Sequence, residues 1–254
     1  MALSAFPDNE WVMRTPADPA GELDPLSGDQ SNVFGPELGE FPGSEERRAQ
    51  AADEEGMKTG TTTVGINAGD AVVLATDMRA SMGHMVSSKD VQKVEQIHPH
   101  GALTIAGSVS AAQNLIETLK AESNLFEVRR GKEMSMQALS TLTGNLLRSG
   151  AFLIVSPILG GIDDEGAHVY SIDALGGTTE EEYAVSGSGS QFALGVLEQE
   201  YDENLGIEDA KNVATKAIKT ATERDTASGN GINIAVVTDE GVEITREKDI
   251  DSLL

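Results

Sequence analysis

Lys58-Thr59-Gly60 leads into three consecutive threonines, Thr61 to Thr63, at the start of a β-rich run. A threonine hydroxyl is a poor nucleophile unless a base lies within hydrogen-bond reach, and one solution uses the residue's own α-amine. That amine has an unperturbed pKa of about 8, close to working pH, which suits a general base. It exists only where a chain begins with that residue. A segment ending in Gly60 therefore reads as a propeptide whose removal, between Gly60 and Thr61, creates the catalytic group. A glycine at that point also lets the backbone bend so that the hydroxyl reaches its own preceding carbonyl. Threonine is equally at home opening a strand, and the stretch alone leaves both readings open.

The residues before Thr61 behave as a leader. Residues 1–60 hold six of the eight prolines and 13 acidic against 4 basic side chains. Neither a period of 2 nor one of 3.6 persists through them, and polar, proline-rich composition of this kind buries too little apolar surface to order itself. A short helix over Ser44 to Glu55 is the one element expected there.

From Thr61 the pattern changes. "TTTVGINA" and "AVVLATD" are β-rich runs joined by Gly69-Asp70, a tight hairpin signal. "KVEQIHP" and "ALTIAGSV" follow around a His100-Gly101 bend. The period then shifts to 3.6, with Leu115, Leu119 and Ala121 or Leu125 on one helix face and Leu139, Leu142 and Leu146 on another. Strands return as "AFLIVSPILGGID", "AHVYSID" and "EEYAVSG". A second helical pair, "SQFALGVLEQEYDENL" and "IEDAKNVATKAIKTATER", precedes the closing strands "GINIAVVTD" and "VEITREK". Local hairpins with helix pairs between them predict an α+β fold, two antiparallel sheets stacked face to face with helices outside: a four-layer α-β-β-α sandwich over residues 61–254.

Composition excludes several function classes. The 254-residue chain carries 42 acidic and 18 basic side chains, a formal net charge of −24. Nucleic acid and anionic membrane need neutralising cations that such a surface lacks, so neither is expected as a partner. Its longest apolar stretch, "AFLIVSPIL", is half a membrane span and is broken by Ser156 and Pro157. The N-terminus has no basic lead and no apolar block, so no secretion signal is read and a cytoplasmic protein is expected. The absence of cysteine rules out disulfides, thiolate sites and a cysteine nucleophile. A solvated acidic surface points to salt adaptation, with a specific basic partner as the alternative. His84, His98, His100 and His168 stand neither at a metal-binding spacing nor beside a candidate base. His98-Pro99-His100 reads as a solvated bend, and no metal or organic cofactor is expected.

Residues 61–254 resemble the β subunits of the 20S proteasome, the archaeal type in particular. The resemblance rests on "GTTTVG" at Gly60, "ATDMRAS" from Ala75, Lys93 in "QKVEQI" and "TIAGS" from Thr104. It continues through "LGGID" from Leu159, "SIDALGG" from Ser171, "SGSGS" from Ser186 and "RDTASG" from Arg224. Each motif is weak alone; eight in order and spacing are specific. The resemblance implies an N-terminal nucleophile hydrolase fold and a salt-loving archaeal source. It also implies a threonine endopeptidase, made as a self-cleaving precursor, in which Thr61 is the nucleophile. Asp77 and Lys93 match the pair beside it, the lysine stabilising the alkoxide and the aspartate holding the lysine. On their own they read as a turn residue and a surface lysine. Gly107 matches the backbone oxyanion donor, and it also suits a strand-to-helix turn. Ser188, Asp225 and Ser228 match the hydrogen-bonding group around the amine, although "GSGS" alone would pass for an anion-binding nest.

The resemblance further implies that Arg79 and Ser81 belong to the substrate site, Ser81 in the strand segment that binds substrate backbone by strand addition. The primary specificity pocket maps to Ala80, Val91, Glu95, Ile105 and Val109. Apolar Ile105 at its base implies cleavage after bulky hydrophobic residues, and Glu95 fits that preference least well. Implied partners are seven-membered β rings stacked on α-subunit rings, an AAA ATPase unfoldase that feeds them, and unfolded proteins as substrates. Two other classes remain open on sequence alone: a non-catalytic ring subunit of the same fold, and another N-terminal-nucleophile amidohydrolase.

Overall fold

The computed structural model of the chain describes residues 60–150, 152 and 154–254. The leader expected over residues 1–60 lies outside the described residues apart from Gly60, as does the helix expected over Ser44 to Glu55.

Strand β1 (Thr62–Asn67) turns through Gly69 and Asp70 into β2 (Val72–Asp77), pairing Thr63 with Thr76 and Asn67 with Val72. A short hairpin follows, β3 (Ala80–Met82) and β4 (Met85–Ser88). Strands β5 (Val94–His98) and β6 (Gly101–Thr104) come next. Helices α1 (Val109–Arg130) and α2 (Met136–Arg148) lead to β7 (Ile158–Asp163), β8 (Gly166–Ile172), β9 (Thr178–Glu180) and β10 (Tyr183–Gly187). Helices α3 (Ser190–Glu200) and α4 (Ile207–Arg224) precede β11 (Ile232–Thr238), β12 (Gly241–Glu247) and a 3-10 turn at Ile250–Leu253.

Two five-stranded sheets result, in the orders β10-β1-β2-β11-β12 and β5-β6-β7-β8-β9. Every neighbouring pair in them is antiparallel. Alternation along β2 shows how they stack. Val72 and Leu74 pack with Val94, Ala102, Ile158 and Val169 of the second sheet, whereas Val73 and Ala75 pack with Leu197 of α3 and Val213 and Ala217 of α4. Successive strand side chains point to opposite faces, so one strand serves two apolar layers. A third layer sets Leu103, Ile105 and Leu159 against Leu115 and Leu119 of α1 and Leu139 and Leu147 of α2. Three apolar layers separate four structural ones, the α-β-β-α sandwich that the pattern predicts. Each wholly buried leucine or isoleucine in them contributes roughly 1.5–3 kcal/mol.

The helix boundaries have local causes. Ser108 caps α1 through the amide of Ala111, Gly131 closes it at φ 67°, and Ser135 caps α2 through Ala138. Helix α4 carries Glu208 and Asp209 in its first turn and Arg224 in its last, charges that suit its dipole. No helix among the described residues is long and apolar enough to cross a membrane.

Several expectations need correction. Strands β4 and β9 have no counterpart in the sequence reading, whereas β3 coincides with the strand segment that the resemblance implies at Ser81. The strand expected from Ala151 begins at Ile158; Phe152 and Ile154 lie in a turn, and Ala151 and Leu153 fall outside the described residues. Helix α3 stops at Glu200, short of Leu205. The buried row of α1 is Ala112, Leu115, Ile116, Leu119 and Ser123, while Ala121 and Leu125 are exposed. His98 is buried at 4% exposure and so is not part of a solvated bend.

One ion cluster gives this fold a pH signature. His168 on β8 places Nδ1 2.6 Å from Glu180 of β9 and Nε2 3.1 Å from Asp163 of β7. Burial alone would lower its pKa, but the hydrogen bond it donates to Glu180 and the charge and hydrogen bond of Asp163 outweigh it and hold the pKa above the ordinary histidine value. A raised folded-state pKa stabilises fully below the unfolded value, near 6.5, and its contribution disappears as pH rises through the folded value. Unfolding midpoints of His168→Gln should therefore fall below those of the unaltered protein under mildly acidic conditions and converge with them in alkaline buffer. A difference constant with pH would assign the histidine a packing role only.

Candidate active site around Thr61

Thr61 sits immediately before β1 and is only 4% exposed. Its hydroxyl donates to the carbonyl oxygen of Gly60 at 2.6 Å and accepts from Lys93 Nζ at 2.9 Å. A glycine is required at 60 by close approach: a β-carbon there would collide with Ala227. The Gly60 amide in turn donates to Ser81 Oγ at 3.0 Å. The sequence expectation that the hydroxyl reaches its preceding carbonyl thus has a geometric counterpart.

Lys93 and Asp77 reach Thr61 from different sheets. Asp77 ends β2 in the first sheet, and Lys93 directly precedes β5 in the second. They are 0% and 1% exposed, and Lys93 Nζ lies 2.8 Å from Asp77 Oδ1. The remaining lone pairs of the carboxylate are occupied by backbone amides. Thr62 N donates to Oδ1 at 3.0 Å, and Arg79 N and Gly229 N each donate to Oδ2 at 2.9 Å. A buried carboxylate is tolerated when it is paired and saturated in this way. Burial pushes the Lys93 pKa below the ordinary lysine value; the attraction and hydrogen bond of Asp77 oppose this without cancelling it. The result is an ammonium 2.9 Å from a hydroxyl, able to stabilise an alkoxide and to exchange a proton more readily than a surface lysine.

A second network surrounds the Thr61 nitrogen. That nitrogen donates to Ser188 Oγ at 3.2 Å, and Ser188 and Ser228 both donate to Asp225 Oδ2, at 2.6 and 2.7 Å. The Thr62 hydroxyl stands 2.7 Å from Ser228 Oγ. Ser188 lies in the turn between β10 and α3, and Asp225 caps the C-terminus of α4. One carboxylate therefore orients two hydroxyls against the start of β1.

Gly107 lies between β6 and α1 at φ 110°, bridged to Val155, where a β-carbon would overlap the carbonyl oxygen of Ile154. Only glycine takes that backbone conformation in that space without strain. It helps line a cavity of about 350 Å³ together with Thr61, Ala80, Ser81, Lys93, Ile105 and Val109. Ile105 and Val109 also wall an adjoining cavity of about 320 Å³ that includes Glu95, Gln92 and Lys120. There Glu95 accepts from Gln92 Nε2 at 3.0 Å and lies 3.9 Å from Lys120 Nζ, so its charge is partly answered from α1.

Two residues expected at the substrate site lie off these cavities. The Arg79 guanidinium donates to Asn230 Oδ1 at 2.9 Å and to the Thr226 carbonyl at 2.7 Å, bracing the loop that carries Ser228 and Gly229. The Val91 backbone bonds Met78 O at 3.0 Å and receives Asn233 Nδ2 at 3.2 Å. Sequence reasoning missed Asn233, which is fully buried and ties Thr76 to the segment before Lys93. Its one signal was a lone amide inside the apolar run "INIAVV". Also missed were Met82, Ser87 and Gln113, which line the larger cavity.

Comparison with known proteins gives a consistent result. A family model described as "Proteasome subunit" matches residues 57–237. The chain is 72% identical over 244 residues to a proteasome subunit beta of Halorubrum lacusprofundi, covering 95% of this chain and 100% of that one. It is 67% identical over 243 residues to a proteasome subunit beta of Haloferax volcanii, with coverage of 95% and 100%. A third, from Haloquadratum walsbyi, is 64% identical over 244 residues with the same coverage.

Proposed function

The chain belongs to the proteasome subunit family, with β subunits of halophilic archaea among its relatives, and from that membership we propose that Thr61 is the nucleophile of a threonine endopeptidase made as a precursor. The observation that carries the reading is the Thr61 hydroxyl, held between Lys93 Nζ at 2.9 Å and the Gly60 carbonyl oxygen at 2.6 Å.

In the precursor the Thr61 nitrogen is an amide and offers no base. The hydroxyl adds to the Gly60 carbonyl, the acyl group passes from nitrogen to oxygen, and water hydrolyses the resulting ester. Residues 1–60 leave with a new carboxyl group, and the Thr61 amine is freed. With an intrinsic pKa of about 8, that amine takes the hydroxyl proton when a substrate carbonyl is attacked. Ser188 and Asp225 hold the amine, and the Lys93 ammonium stabilises the alkoxide. The Gly107 amide is the donor for the tetrahedral oxyanion, and a donor of this kind typically contributes roughly 2.7–4 kcal/mol. The leaving amine takes the proton, and the acyl ester on Thr61 is then hydrolysed by water that the same amine activates. Ile105 and Val109 favour a bulky hydrophobic residue before the cut.

The family membership supports assembly into the proteasome core particle. Within it, the proposal extends to seven-membered β rings stacked on α-subunit rings, feeding by an AAA ATPase and work in the cytoplasm. The test is an intact mass of the subunit purified in high salt with its α partner. A chain beginning at Thr61 is expected. A full-length mass in an assembled particle would make it a non-catalytic ring subunit and Thr61 the opening of a strand.

A further inference from the structure

Among the described residues, one buried side-chain polar atom has no hydrogen-bond partner: Nε2 of His98. Leaving such an atom unpaired is costly, and its surroundings indicate what would satisfy it. His98 ends β5, and Pro99 and His100 form the turn into β6. Glu133 approaches from the segment between α1 and α2. Its Oε2 lies 3.8 Å from His98 Nε2 and 3.0 Å from His100 Nδ1. The three donor atoms all fall within 4.8 Å of one another, on the wall of a cavity of about 790 Å³ that also exposes Asp163, Asp164, Glu165 and Asp239.

We infer that His98 Nε2, His100 Nδ1 and Glu133 form a binding site for a divalent transition-metal ion of the zinc class, separate from the Thr61 site. Metal–ligand bonds of about 2.0–2.2 Å in a tetrahedron put neighbouring donors roughly 3.3 Å apart. The two separations from Glu133, 3.0 and 3.8 Å, bracket that value, and the two histidine donors lie within 4.8 Å of each other, so binding draws the set together by local adjustment of the turn. Two imidazoles and one carboxylate suit zinc, cobalt or nickel; calcium and magnesium prefer oxygen ligands throughout. Three protein ligands leave a fourth position open to the cavity, where water would sit. The carboxylates around that cavity raise the local concentration of cations.

Binding needs a lone pair, not a proton, on each of the two liganding ring nitrogens. His98 Nδ1 accepts the His100 amide at 3.2 Å, which leaves the ring proton on Nε2. Coordination moves that proton to Nδ1, and the His100 amide turns away. His100 Nδ1, 3.0 Å from Glu133, must likewise turn a lone pair to the ion. His168 is not a ligand, since Asp163 and Glu180 hold both its nitrogens. Sequence spacing alone conceals this site because Glu133 is brought to the histidines only by the packing of the α1–α2 connection on the β5–β6 turn. A bound ion would pin those two segments together.

The test uses the full-length protein, stripped with chelator and titrated with zinc in high salt. Bound metal per chain is measured after desalting, and the unfolding midpoint is followed with zinc and with magnesium. About one zinc per chain and a midpoint raised by zinc and not by magnesium are expected. His100→Gln and Glu133→Gln, at more exposed positions, should fold normally and lose at least about tenfold in zinc affinity, a loss that even the outer partners of metal ligands produce. His98→Gln should do the same if it folds. Zinc retained equally by His100→Gln and Glu133→Gln, equal stabilisation by magnesium, or no zinc on the unaltered protein would each overturn the site.

Discussion

Replacing Thr61 with alanine leaves residues 1–60 attached and reduces peptide hydrolysis to below about one-thousandth of the unaltered rate. Removing the nucleophile of a covalent hydrolase typically costs on the order of 10⁶ in kcat, so residual turnover would fall to background. The substitution is structurally mild. The hydroxyl makes two hydrogen bonds, to Gly60 O and from Lys93, and Lys93 keeps Asp77 as a partner 2.8 Å away. The variant should therefore fold and assemble, and its inactivity can be assigned to chemistry. Thr61→Ser keeps a hydroxyl in place and should process its leader and retain measurable activity. Intact mass reports processing, and a peptide ending in a fluorogenic amide after leucine or tyrosine reports hydrolysis. An alanine variant that cleaves such a peptide normally would remove Thr61 from the mechanism and leave the cavity without an assigned nucleophile.

Much of this architecture is legible because its strands and helices declare themselves by period. In β2 all six residues are buried and apolar residues dominate, and Gly69 at φ 79° marks the turn before it. Helix α4 coincides with its sequence segment because alanines, Val213 and Ile218 recur on one face. The misses have physical causes. In the β3–β4 hairpin, Met82 and Met85 are exposed at 53% and 73%, so no apolar face alternates with a polar one. Strand β9 has three exposed residues and is defined only by pairing with β8. The turn before β7 is apolar because Phe152 and Val155 are fully buried, not because the chain is extended there.

The candidate site was legible only in part. Thr61 is conspicuous by its place behind a glycine, but Asp77 and Lys93 each carry an ordinary local explanation. Family resemblance linked them; the contact itself depends on the stacking of two sheets, which brings the end of β2 in one beside the start of β5 in the other. Asn233 and Glu133 escaped notice for the same reason, since their partners lie far away in sequence.

Lys93 is where chemistry and stability should separate most clearly. Lys93→Ala removes the ammonium from Thr61 and strands Asp77, which is 0% exposed, with only its three backbone donors. Breaking one side of a buried ion pair typically costs about 3–5 kcal/mol, so the variant should be both inactive and strongly destabilised. Lys93→Arg should fare little better, because a planar guanidinium must fit a site only 1% exposed and built around a point charge. Combining Lys93→Met with Asp77→Asn removes both charges. The neutral pair should recover part of the lost stability, because no uncompensated charge stays buried, and only part, because the Asn amide nitrogen cannot accept the backbone N–H that one carboxylate oxygen held. Activity and leader cleavage should stay absent, since nothing then stabilises the Thr61 alkoxide. Unfolding of the full-length variants in high salt, followed beside intact mass, separates the two effects. If the double variant regained processing along with stability, Lys93 would be a structural residue, and the proton and charge roles assigned to it would have to pass to the amine network of Ser188 and Asp225.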